Sequence, residues 1–157
     1  MMRRQPPPRQ WLVADERLDD GLWPALRLLP RGSGILFLYL EMGQAERARL
    51  LASIRKMARR RGLVVSDEMA GQAARVHDAR EIRRALAARV PLLFLSPMFP
   101  TRSHPDWAAL PRMRAAALAR SSPAPVIALG GMNARRFRQL ERLGFSGWAG
   151  IDAYRRQ

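Results

Sequence analysis

Short apolar runs along the chain alternate with stretches in which apolar positions return every three or four residues. The runs are 11–15, 35–40, 63–67, 92–97, 126–131 and 148–151. Most are continuously apolar rather than alternating in polarity, the pattern of a parallel strand covered on both faces. Within 46–60, Leu50, Leu51, Ile54, Met57 and Ala58 recur at helical spacing and predict a helix with one buried face. Ile82 and Leu86 do the same in 79–89, and Phe137 and Leu140 in 134–143. Asn133 is a natural N-cap for that last helix, and Gly144 follows its end. His77 reads as the end of a further short strand just before the 79–89 helix, while 30–34 and 121–125 are turn-rich connectors.

Strand and helix patterns in alternation predict an α/β fold with a parallel sheet. Such a sheet closes as an open doubly wound layer or as a (β/α)8 barrel. The run ends Asp15, Glu41, Asp67, Ser96, Gly130 and Asp152 could share one rim. Both architectures bind ligands at the carboxyl ends of their strands.

Composition narrows the picture. A length of 157 residues suits a single domain, read as 11–154 behind a flexible Arg- and Pro-rich tail at 1–10. The absence of Cys excludes disulfides, thiolate metal sites and a Cys nucleophile. No apolar run approaches the ~18 residues of a membrane span, and the start lacks the apolar region of a secretory signal, so a cytoplasmic protein is expected. The net charge of +15 raises a nucleic-acid reading. Against it, Lys56 is the only lysine among 28 basic residues, and just 7% of the chain is aromatic. The arginines fall mainly where helices should meet solvent, among them Arg55, Arg59, Arg83, Arg84, Arg135 and Arg136. The charge is read chiefly as a solvated face, with nucleic-acid binding kept as a lesser alternative.

Three constellations could carry chemistry. In 96–105 a buried strand runs into a loop holding Ser96, Thr101, Arg102, Ser103 and His104, whose hydroxyls, guanidinium and backbone N–H groups can surround a phosphate; the bland alternative is a Pro-stiffened loop. In 126–133 the pair Gly130 and Gly131 lies between a strand and a helix, where backbone can approach a phosphate closely; many strand–helix turns need Gly for geometry alone. Asp67 and Glu68 close a strand and could hold Mg²⁺ with substrate phosphates, or simply cap a turn.

At these residues the sequence resembles the thiamine phosphate synthase/TenI family. The segment Phe94-Leu95-Ser96-Pro97-Met98-Phe99-Pro100-Thr101-Arg102-Ser103-His104 is similar to the family's G/S-P-V-F-P-T-x-[TS]-K loop. Pro125-Val126-Ile127-Ala128-Leu129-Gly130-Gly131-Met132 is similar to its P-V-x-A-[IL]-G-G-I strand. The first strand, Trp11 to Asp15, and the end, Gly144 to Ala153, resemble the family's Y-L-I-T-D and G-x-x-G-x-A-x-[IV]-S-A.

The resemblance implies a TIM-type (β/α) barrel and transfer of hydroxymethylpyrimidine from its diphosphate to thiazole phosphate, with release of diphosphate and with Mg²⁺. It implies Thr101, Ser103 and His104 as catalytic positions. Arg102, Gly130, Gly131, Ser96, His77 and Asp152 would bind phosphate or substrate, and Asp67 would be the metal ligand. Several positions depart from the family. Phe37-Leu38-Tyr39-Leu40-Glu41 stands where the family has Q-x-R-x-K, His104 replaces a Lys, and Asp152 replaces a Ser. The family's fourth strand unit, with its second metal Asp, is missing between Asp67 and His77. The expectation is a shortened barrel with two bare strand edges, for which dimerisation across the gap is one remedy. The alternative activity is a degenerate accessory barrel that binds thiazole phosphate without turnover.

Overall fold

The first and last strands lie side by side inside the sheet. In the computed structural model, which describes residues 5–102 and 104–154, β1 (Gln10–Ala14) pairs in parallel with β2 (Gly34–Phe37) on one side and β7 (Gly147–Gly150) on the other. The remaining strands are β3 (Val64–Asp67), β4 (Ala74–Val76), β5 (Leu93–Leu95) and β6 (Val126–Leu129). Every pairing is parallel, in the order β3-β2-β1-β7-β6-β5-β4. That is the order around a TIM-type barrel with one strand unit removed. The sheet curls into a partly open, shortened barrel, as the sequence predicts.

Side-chain alternation divides the core into two layers. Trp11, Val13, Leu36, Leu38, Phe94, Ile127 and Ala149 form the inner cluster. The alternate positions, including Leu12, Ile35, Phe37, Leu93, Leu95 and Ala128, pack outward against the helices. Both faces are apolar because both are covered. Trp11 and Phe94 meet edge-to-face at 5.3 Å and fill the interior. Gly34 makes room for them, since a Cβ there would lie 2.1 Å from the Trp11 ring.

The helices are α1 (Leu22–Leu28), α2 (Gln44–Arg61), α3 (Ala79–Ala87), α4 (Arg112–Ser121) and α5 (Ala134–Phe137). The 46–60 and 79–89 patterns are realised in α2 and α3. The 134–143 pattern is not one helix: α5 stops at Phe137, and Glu141–Leu143 form a separate 3-10 turn that ends at Gly144 in the left-handed conformation. Asn133 caps α5 as predicted, its side chain accepting the Arg136 N–H. Two helices escape the sequence pattern. The buried face of α4 is Ala115, Ala116 and Ala119, which carry little hydrophobic signal, and α1 has only seven residues.

The break in the ring lies between β3 and β4. Here side chains take the place of the missing ladder. Gln72 donates its backbone N–H to the Asp67 carbonyl at 3.1 Å, and its side-chain oxygen accepts the Asp67 N–H at 2.9 Å. Glu68 accepts the Arg75 N–H at 2.9 Å. The expected bare edges are therefore covered at Asp67 and Arg75, because the 68–73 turn folds back onto both strands. The N-terminal segment also joins the barrel before β1: the Pro8 carbonyl accepts the Trp11 indole N–H, and the Arg9 carbonyl accepts the Trp148 N–H.

Candidate functional site

Strand ends and the loops after them surround a cavity of about 920 Å³ at the carboxyl end of the sheet. The 96–105 loop is pinned to its neighbour: Met98 and Phe99 N–H groups donate to the Leu129 and Gly130 carbonyls, and Leu110 N–H donates to Pro97. Gly130 and Gly131 take φ of 98° and 61°. A Cβ on Gly130 would sit 2.9 Å from the Pro97 backbone, so glycine lets strand and loop close together.

The structure gathers Ser96, Thr101, Arg102, His104, Gly130, Gly131, His77 and Asp152 around this one cavity. Ser103 lies outside the described residues. Thr101 Oγ1 accepts the His104 N–H at 3.1 Å, and the His104 ring stacks on Trp107 at 4.6 Å. His77 meets the same indole edge-on at 5.3 Å, and its Nδ1 lies 2.8 Å from Glu81 Oε2. Trp107 thus joins the two imidazoles across the mouth of the cavity.

Three further arginines line the cavity that the sequence pattern did not assign to it: Arg17, Arg75 and Arg136. Arg136 is a correction, since the helical pattern placed it on a solvated face. Its place in the first turn of α5, where side chains lean toward the helix N-terminus, lets it reach back, donating to the Gly131 carbonyl and lying over the Phe99 ring at 4.8 Å. Arg17 grips the buried Asp15 at 2.9 Å. Arg75 grips Glu68, with nitrogen–oxygen distances of 3.0 Å. Four guanidiniums line the cavity with Glu68 and Asp152, and with Asp15 behind Arg17 the balance stays positive, which suits an anionic ligand.

Asp67 is not among the residues that line this cavity. It pairs in register with Phe37, whose side chain belongs to the outer layer, so its carboxylate points toward α2. There it meets Arg47 at 2.6 and 3.2 Å. Arg47 is buried, lies over the Phe37 ring, and donates also to the Leu38 and Tyr39 carbonyls. Burial disfavours the charged form of Asp67, but Arg47, the Met69 N–H and Arg55 outweigh it and hold the carboxyl below the usual carboxylate range. These residues do not fit the magnesium ion implied by the resemblance: both Asp67 oxygens face Arg47, and Glu68 is taken by Arg75. Among the described residues, no three His, Asp or Glu side chains converge as a metal set.

A smaller hollow of about 410 Å³ lies where β1 and β2 begin, beside Arg9, Arg31 and Arg138. Arg9 there is paired with Glu141 and lies over Phe137. No helix among the described residues is long and apolar enough to cross a membrane.

Residues 42–154 match the family model described as thiamine monophosphate synthase. No curated protein matches the sequence. Among solved structures, a thiamine phosphate pyrophosphorylase from Pyrococcus furiosus superposes with a TM-score of 0.74 at 18% identity, covering 93% of this chain and 86% of that one.

Proposed function

The chain belongs to the thiamine monophosphate synthase family, and from that premise we propose that it transfers hydroxymethylpyrimidine from its diphosphate to thiazole phosphate, releasing diphosphate. The observation that carries this reading is the loop after β5, whose Met98 and Phe99 lock against Leu129 and Gly130 at the rim of a cavity lined by four arginines. In this reading the thiazole phosphate lies against the Gly130–Gly131 backbone, with Thr101 and Arg136 beside it. The carbonyl of Gly131 is held by Arg136 and that of Gly130 by Phe99 N–H. Both oxygens thereby have donors of their own, and backbone N–H groups and a guanidinium can receive an incoming phosphate.

The chemistry asks for placement and charge rather than for a strong base. Cleavage of the carbon–oxygen bond leaves a pyrimidine-methyl cation and a diphosphate anion, and the thiazole nitrogen supplies the electron pair that closes the new carbon–nitrogen bond. Arginines fixed on strands and loops stabilise the departing charge without reorganising. Trp107 and the stacked His104 offer a flat face to a planar ring.

The test is turnover by the purified full chain with both substrates, reading thiamine phosphate by mass spectrometry. Product formation that falls by about 10²-fold in Arg136→Ala, a typical loss for one preorganised charge contact, supports the reading. Folded protein that binds thiazole phosphate but forms no product would replace it with the accessory barrel, a reading favoured by the uncharged Leu38-Tyr39-Leu40 segment after β2.

A further inference from the structure

β4 follows β3 directly in the chain, and Arg75 with the next-but-one residue His77 lines the cavity. Arg75 pairs in register with Phe94 of the inner cluster, and His77 lies two residues on, so both face inward. The Arg75 guanidinium is gripped by Glu68, whose carboxylate also accepts the Arg75 backbone N–H. A carboxylate held by a guanidinium in this manner occupies donors that a phosphate group can take in its place. The His77 ring is braced by Trp107 and tied through Nδ1 to the Glu81 carboxylate, so Nε2 is the nitrogen left for a ligand and donates to an anion in the imidazolium form. On the other side of the sheet Asp67 is committed to Arg47, so the carboxylate that would carry a divalent cation is turned away from this corner.

We infer that this corner binds a diphosphate-type anion without a divalent cation: Arg75 and His77 receive the anion, and Glu68 is the internal carboxylate it displaces. The charge a metal would bring is built into the chain. This inference rests on the transferase reading only for the choice of diphosphate as ligand.

The experiment is calorimetric titration of inorganic pyrophosphate into the full chain, once with EDTA and once with Mg²⁺. Binding should persist in EDTA. Arg75→Gln should weaken it by about tenfold or more, the scale of one charge-assisted contact. Glu68→Gln keeps an acceptor for the Arg75 N–H but removes the competing charge, and should tighten binding several-fold while the circular dichroism spectrum stays unchanged. Binding seen only with Mg²⁺, no binding in either buffer, or affinity unmoved in both variants would overturn the inference. The two proposals separate cleanly. Pyrophosphate binding in EDTA with no turnover sinks the transferase reading alone, whereas turnover and binding that both require Mg²⁺ sink this one alone.

Discussion

Arg47 of α2 and Asp67 of β3 form a buried two-point ion pair, at 2.6 and 3.2 Å, on the helix side of the sheet. Two further acceptors, the Leu38 and Tyr39 carbonyls, complete the guanidinium. Tyr39 takes a left-handed φ of 45° beside it, a conformation costly for a non-glycine residue. The pair thus ties α2 to the ends of β2 and β3, the part of the barrel that lost its neighbouring strand.

Breaking this pair from one side should be expensive. Asp67→Asn leaves an uncompensated buried guanidinium and is expected to cost about 3–5 kcal/mol in chemical denaturation. Arg47→Met combined with Asp67→Leu should recover most of that loss, because both charges leave together. Equal destabilisation in the single and double variants would contradict this account.

The same pair sets an acid sensitivity. The Asp67 carboxyl titrates below its ordinary value of 3.8 in the folded chain. Its contribution is therefore complete above 3.8 and is lost as pH falls through the lower folded value. Denaturation midpoints followed from about pH 7 to about pH 2 should fall less steeply at the acid end in Asp67→Asn than in the parent chain.

Gln72 stands in for strand pairing. Gln72→Ala removes the acceptor of the Asp67 N–H, which is expected to cost about 1 kcal/mol and to bare one strand edge. Size-exclusion chromatography should then show more self-association than the parent chain. An unchanged elution profile would mean that Gln72 does not protect the edge.

Gly130→Ala meets two obstacles, a φ of 98° and a Cβ 2.9 Å from the Pro97 backbone. The variant is expected to lose about 1–3 kcal/mol of stability through strain. It should also lose affinity for thiazole phosphate, since the loop and the Gly–Gly turn can no longer close together. Retained affinity in titration calorimetry would place the phosphate elsewhere.

Six of the seven strands were legible as short, mostly apolar runs, whereas β4, Ala74-Arg75-Val76, was read only from His77 beyond its end; the Phe99-Pro100-Thr101 loop and Gly130-Gly131 turn were legible because they stand at strand ends. The direction of Asp67 was not. A one-residue difference in register decides which face a strand residue takes, and only pairing with Phe37 fixes it. A signal did exist in α2: Arg47 extends the buried stripe of Leu51, Ile54 and Ala58 at helical spacing. A charged residue on such a stripe needs a buried partner, and Asp67 was the carboxylate at hand. Arg136 and Arg75 were obscured for other reasons. The first lies in the opening turn of α5, where its side chain reaches back to the Gly131 carbonyl, and the second faces inward through its register with Phe94.

The central claim is that the phosphorylated substrate sits at the carboxyl ends of the strands, against Gly130, Gly131 and Arg136. A crystal structure of the full chain soaked with thiazole phosphate tests it most directly. The account predicts phosphate density within hydrogen-bond reach of the Gly130 or Gly131 N–H and the Arg136 guanidinium. Density confined to the hollow beside Arg9, Arg31 and Arg138, with the larger cavity holding only solvent, would contradict it.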